Sequence, residues 1–209
     1  MPTLGNGNTK GNTDGVERLD TTAGALTQCD SDPAADAVRH VWKAKDGTLV
    51  LLRAIEPGDF EIERDFVNAL SRSTRYMRLM SGRQPSLDEI HRWTHIDRQR
   101  EGAIVAVVSI DGREQQIGVA RYAMEAGQHE VAECAIGISD AWHGQGLASQ
   151  LLGSLIDLAR RSGLKRLYGQ TLAENTAMVR LARRWGFQVS FDGSSGPALD
   201  LSLDLTSRE

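Results

Sequence analysis

The sequence predicts an α+β domain in which strands and helices alternate along one chain, and three observations carry that expectation. Leu199, Leu201, Leu203 and Leu205 alternate with Asp200, Ser202 and Asp204, the period of two expected of a strand with one buried face. Leu147, Leu151, Leu155 and Leu158, flanked by Ala148, Leu152, Ile156 and Ala159, recur instead at helical spacing down to Gly163. Between two strand-like runs, residues 103–110 and 116–124, the pair Asp111-Gly112 supplies the turn that joins antiparallel strands.

The elements follow in order. Residues 1–37 are rich in Gly, Asn, Thr and Asp, with too few apolar side chains to offset the entropy of ordering, so a flexible tail precedes a domain over 38–209. Residues 48–55 read as a first strand, and Pro57-Gly58-Asp59 turns the chain into a helix carrying Phe60, Phe66, Val67 and Leu70. Ser86 followed by Glu89 forms a capping box for a helix through Ile90 and Trp93. After the hairpin, residues 131–138 read as a buried strand whose apolar character is broken by one carboxylate, Glu133. Beyond the long helix, residues 166–172 are strand-like and 175–185 helical, with Met178, Leu181, Ala182 and Trp185 on one face. Gly186 and Phe187 fit a glycine C-cap whose next side chain folds back on the helix.

Length and composition bound the function. The 209 residues, 40 % of them hydrophobic, suffice for one domain of ordinary size. A net charge of −4 argues against a nucleic-acid partner. Cys29 and Cys134 are too few for a disulfide framework or a zinc site, which points to a reducing compartment. No basic segment followed by an apolar run opens the chain, and nowhere do eighteen apolar residues adjoin, so a cytoplasmic location without a membrane partner is expected.

The turn at residues 140–149, between the strand at 131–138 and the long helix, carries the chemistry. A glycine-rich turn that opens a helix leaves its first N–H groups unpaired and converging, where they and the helix dipole favour a phosphate. Gly144 and Gly146, with only a methyl at Ala148, let the backbone approach a bulky phosphate ester. The segment from Glu133 to Phe187 resembles the acyl-CoA-binding core of the GNAT acyltransferase superfamily. Its signature is Arg or Gln, two residues, Gly, one residue, then Gly or Ala. Here His143, Gly144, Gln145, Gly146, Leu147 and Ala148 occupy those places, and His143 departs from the pattern. Residues 172–178 and 183–187 are similar to the second cofactor segment of that family. Upstream, residues 46–53, 70–78 and 95–101 look like the acyltransferase domain of bacterial protein-lysine acetyltransferases, so the resemblance covers residues 38–206.

That resemblance implies a mixed, mainly antiparallel sheet of about seven strands flanked by helices. It implies acetyl-CoA as acyl donor and a primary amine, either a small molecule or a protein lysine, as acceptor; a homodimer is compatible with it. The pantetheine arm would pair with backbone groups of Ile136, Gly137 and Ile138, and the diphosphate would sit on the N–H groups of residues 144–149, with a hydroxyl contact from Ser149. Asn175 would contact the cofactor, cap the following helix, or both. Glu133 matches the catalytic glutamate of the lysine-acetylating enzymes and is the expected general base, its proton affinity raised by burial in an apolar strand. Many of these enzymes place a proton-donating tyrosine seven positions after that asparagine; here the position is Ala182, so the general acid is unassigned.

Other candidates are weaker. His143 either meets a phosphate or is simply exposed. His91 and His95 stand one helical turn apart without a third ligand, so no metal is expected. Arg72, Arg75, Arg78 and Arg83 read as a solvated helix face rather than a seat for the 3′-phosphate of CoA. Two rival readings remain. A dinucleotide-binding domain would need an acidic residue about twenty positions beyond the glycines, where Tyr168-Gly169-Gln170-Thr171 offers none. A non-catalytic acyl-CoA sensor or interaction module is favoured by the missing tyrosine and opposed by Glu133.

Overall fold

The computed structural model describes residues 38–81, 83–191 and 197–206; the tail expected at 1–37 lies outside the described residues. Eight strands among the described residues form one sheet in the order β1-β2-β3-β4-β5-β6-β8-β7. They are β1 Arg39–Lys43, β2 Leu49–Ala54, β3 Glu101–Ile110, β4 Arg113–Met124, β5 Val131–Ile138, β6 Arg166–Leu172, β7 Gln188–Ser190 and β8 Ala198–Asp204. Only β5 and β6 run parallel; the other neighbours are antiparallel. The helices are α1 Phe60–Ala69, α2 Arg72–Leu79, α3 Leu87–Thr94, α4 Leu147–Arg161 and α5 Thr176–Arg184, with single 3-10 turns at Pro57–Asp59 and Asp140–Trp142. No described helix is long and apolar enough to cross a membrane.

The strand beyond the expected seven is β1. Arg39, His40 and Lys43 leave only Val41 and Trp42 as apolar residues there, and Val41 is 60 % exposed. As an edge strand bonded to β2 alone, β1 is held by its backbone and lacks the burial pattern that marks its neighbours.

Residue alternation divides the sheet into two packed faces. Ile104, Ala106 and Val108 of β3 join the core under α4, whereas Ala103, Val105 and Val107 meet Phe66, Val67 and Leu70 of the α1 region on the other side. On β5, therefore, Cys134, Ile136 and Ile138 face α4, and Glu133, Ala135 and Gly137 face α1, α2 and α3. Along α4, Leu147, Leu151, Leu152, Leu155, Ile156 and Leu158 are all buried, each contributing about 1.5–3 kcal/mol relative to an exposed side chain. The helix approaches β4 closely because residue 118 is glycine; a Cβ there would stand 2.9 Å from Leu151 Cδ1.

Local signals are realised as physical chemistry requires. Asp111 (φ 50°) and Gly112 (φ 76°) form the left-handed pair of a two-residue hairpin turn. Ser86 and Glu89 complete a reciprocal capping box at α3. Gly186 (φ 81°) ends α5, the Phe187 N–H donates to the Ala182 carbonyl at 3.0 Å, and the Phe187 ring is buried. In β8, Leu201 and Leu203 are buried, as is Leu205 just beyond it, whereas Leu199 is half-buried and Ala198, on the opposite face of the strand, is buried.

Candidate active site

The site originates in an interruption of the sheet. β5 and β6 pair only through Val131–Arg166, Ala132–Leu167 and Glu133–Tyr168. At the point of separation Gly169 allows close passage, since a Cβ there would lie 2.7 Å from the Cys134 carbonyl oxygen. Beyond it the edge of β5 has no strand partner on that side among the described residues, and a cavity of about 550 Å³ opens. Ile136, Gly137 and Ile138 line it from β5, and Gln170 and Thr171 from β6. That volume lies within the range of small-molecule sites, roughly 300–1,000 Å³.

One end of the cavity is built from backbone. The Asp140–Trp142 turn leads through Gly144 (φ 72°) and Gly146 (φ 99°) into Leu147, the first residue of α4. A Cβ at Gly144 would meet nothing within 4 Å, and one at Gly146 only Trp42 at 3.8 Å, so both glycines are demanded by left-handed backbone rather than by protein crowding. The amides of Ser149 and Gln150 turn back to the Gly146 carbonyl at 3.0 and 3.3 Å. The N–H groups of residues 144–148 have no acceptor among the described residues, so the open cradle is one residue shorter than the 144–149 expected. Gly144, Gly146, Leu147, Ala148 and Ser149 border the cavity, as does His143, whose exposed ring places Nε2 3.1 Å from the Ile138 carbonyl oxygen. The Gln145 side chain instead donates to the Ala141 carbonyl at 3.0 Å. Ser149 Oγ accepts from the Trp185 indole at 3.1 Å, and that ring lies against Gly153, where a Cβ would be 2.6 Å away.

The opposite wall is built from side chains. Helix α2 lies across β5 and is tied to the turn before the cradle. Asp140 accepts from Ser71 N at 2.9 Å, Ser71 Oγ at 2.7 Å and Thr74 Oγ1 at 2.6 Å. Desolvation opposes ionisation of Asp140, but these donors and the charge of His143 outweigh it and hold the carboxyl at about 2. Farther along α2, Arg78 rests on Gly137, where a Cβ would stand 2.5 Å from Arg78 Cδ. Arg75 is buried, with one nitrogen 3.4 Å from the Leu70 carbonyl oxygen.

The expected solvated arginine face is thus corrected for two members. Positions 75 and 78 are three residues apart on a helix whose inner side meets the sheet, so Arg75 and Arg78 turn inward. Arg72 is exposed, and Arg83 makes a two-pronged pair with Glu89 at 2.7 and 2.6 Å. Behind this wall Glu63 is wholly buried, accepting from Arg121 at 3.0 Å and from the Gln116 amide. Arg121 also lies 5.3 Å above the half-buried Trp93 ring. His91 and His95 stack ring on ring at 3.8 Å.

Glu133 borders the same cavity but is exposed, which corrects the expectation of burial. It sits where β5 loses its partner, and the flanking Ala123 and Tyr168 leave one side open to solvent. Cys134, next to it, is pushed up to about 12 by burial and by the Glu133 charge, so it stays a thiol. Tyr168 donates to Glu125; that bond, burial and the two nearby carboxylates push it up to about 12. Asn175 borders the cavity and caps α5, its side chain accepting from Met178 N at 3.1 Å. Ala182 is wholly buried. The cavity-lining residues that sequence reasoning did not place there are on α2, Arg78 among them; the signal present was the spacing of Arg72, Arg75 and Arg78.

Comparison with known proteins agrees with this geometry. Residues 50–188 match the acetyltransferase (GNAT) domain family. An acetyltransferase of Pseudomonas aeruginosa is 39 % identical over 157 residues, 74 % of this chain and 83 % of that protein. Acetyltransferase Pat of Mycolicibacterium smegmatis is 28 % identical over 151 residues, 69 % of this chain but 43 % of that protein, so the chain spans less than half of that relative. The GNAT domain of S. lividans PAT superposes with a TM-score of 0.73 at 25 % identity, over 83 % of this chain and 99 % of that one. With its split sheet, glycine cradle and family match, the chain belongs to the GNAT acetyltransferases, a family of acyl-CoA-dependent transferases.

Proposed function

We propose that this protein transfers the acetyl group of acetyl-CoA to a primary amine, on a protein lysine or a small molecule, with Glu133 as general base. The observation that carries the reading is the meeting, in one cavity, of a cradle of free N–H groups, an unpaired strand edge and a carboxylate. The amides of residues 144–148 would take the diphosphate, helped by the positive end of the α4 dipole. The free edge at Ile136, Gly137 and Ile138 would align the pantetheine arm, with Ser149 and Asn175 beside it. His143, already directed at the Ile138 carbonyl, would stiffen the turn rather than grip phosphate.

The co-substrate supplies a thioester carbon bearing a good leaving group. The ammonium of the acceptor gives its proton to Glu133, the freed lone pair forms the N–C bond, and the C–S bond breaks toward sulfur. The nitrogen's second proton, lost as the amide forms, passes through water to the departing thiolate, giving amide and free thiol. A thiol with an ordinary pKa near 8.5 needs little help at neutral pH, and the tyrosine otherwise available for it is absent at Ala182. Tyr168 is committed to Glu125 and Cys134 stays protonated, so neither is given a role.

In the test, Glu133→Gln lowers turnover at least ~100-fold while acetyl-CoA affinity stays within ~2-fold. Unchanged turnover would remove Glu133 from the chemistry. Acetyl-CoA binding without thiol release in the presence of any amine or lysine peptide would instead support an acyl-CoA sensor.

A further inference from the structure

We infer that Arg78 is the seat for a carboxylate on the acceptor, so that the amine acetylated here belongs to a small amino acid. The inference rests on the acetyltransferase reading and narrows it.

Among the described residues the Arg78 side chain forms no hydrogen bond and no ion pair, although it borders the cavity. Neighbouring arginines on the same side of the sheet have acceptors: Arg53 has Asp59 and Glu114, Arg121 has Glu63, and Arg98 has the Ile55 carbonyl. The carboxylate nearest in charge to Arg78, Glu63, is already held by Arg121 and Gln116, while Arg121 itself repels Arg78. Burial first, and that repulsion second, against the pull of Glu63, push the guanidinium down to about 10, so it remains charged at neutral pH. A cation partly withdrawn from water without a counter-ion is costly, and a carboxylate supplied by a ligand removes the cost through a two-pronged contact.

Position selects the acceptor as the source of that anion. Arg78 enters from α2, across β5 from the helix whose N-terminus forms the cradle. The residue beneath it, Gly137, shares a strand face with Glu133. One wall thus offers an anion for an ammonium and a cation for a carboxylate, the reverse imprint of an amino acid zwitterion. A lysine within a protein presents the ammonium alone.

The experiment compares the full-length chain with Arg78→Met and Arg78→Lys. Acetyl-CoA-dependent thiol release is measured with a panel of amino acids, the carboxamide and decarboxylated amine of each, and lysine peptides. Calorimetry with CoA-saturated protein reads acceptor binding without turnover, and circular dichroism checks folding. The best amino acid is expected to exceed its carboxamide at least ~30-fold in kcat/KM, a preference that falls to near unity in Arg78→Met and partly survives in Arg78→Lys. Calorimetric binding of the amino acid is lost in Arg78→Met, with acetyl-CoA affinity kept within ~2-fold. The inference is overturned by equal use of acid and carboxamide, by a preference that survives Arg78→Met, by lysine peptides outpacing every amino acid, or by loss of acetyl-CoA affinity in that variant. Transfer to amines without carboxylate preference would leave the acetyltransferase reading standing. Amino acid binding that depends on Arg78 without transfer would do the opposite.

Discussion

The two walls of the cavity are made of different materials. Around the cradle, recognition is offered by main-chain amides held in place by two left-handed glycines and the first turn of a long apolar helix. Across β5 the wall is made of α2 side chains, Thr74, Met77, Arg78 and Leu79, and behind it lie buried charges made tolerable by partners: Glu63 with Arg121 and Gln116, and Arg53 with Asp59. Backbone donors are independent of side-chain identity and suit an invariant part of a ligand. Side chains change with single substitutions and suit the part that varies, which in the proposed reaction is the acceptor.

If this contrast is right, substitutions in the cradle and behind the α2 wall should fail in different ways. The largest effect is expected from Glu63→Ala, which strands Arg121 and Gln116 in the interior; breaking such a buried pair costs about 3–5 kcal/mol of stability, to be read by chemical denaturation. Gly146→Val should cost less stability, about 1–3 kcal/mol, because a β-branched residue resists φ 99°, but should weaken acetyl-CoA binding at least ~10-fold by misaiming the amides. The smallest effect is expected from Gln145→Ala. Among the described residues its side chain serves only the Ala141 carbonyl, so acetyl-CoA affinity should change by less than ~3-fold in a calorimetric titration. A larger loss there than at Gly146 would mean that side chains, not amides, make the cradle.

The same contrast explains what could be read in advance. The cradle, the hairpin turn and the glycine end of α5 were legible because positive φ selects glycine or aspartate at fixed places, and α4 because its leucines keep one period. Edge strand β1 was not, since backbone bonds to β2 hold residues whose side chains show no burial pattern. Neither was the inward turn of Arg75 and Arg78. A basic run on a short helix reads as solvent-facing, and only the placement of α2 over Gly137 turns it toward the sheet. The strand position of Glu133 was legible, but its exposure was not, because the parting of β5 from β6 depends on strands thirty-five residues apart in register.

In the proposed reaction a parted sheet and a backbone cradle hold the coenzyme beside Glu133. A crystal structure of the protein with coenzyme A tests it most directly. The diphosphate is expected on the amides of residues 144–148 and the pantetheine arm along the free edge of β5, its sulfur ending on the cavity side of Glu133. Coenzyme A bound elsewhere, with those amides left to solvent, would contradict it.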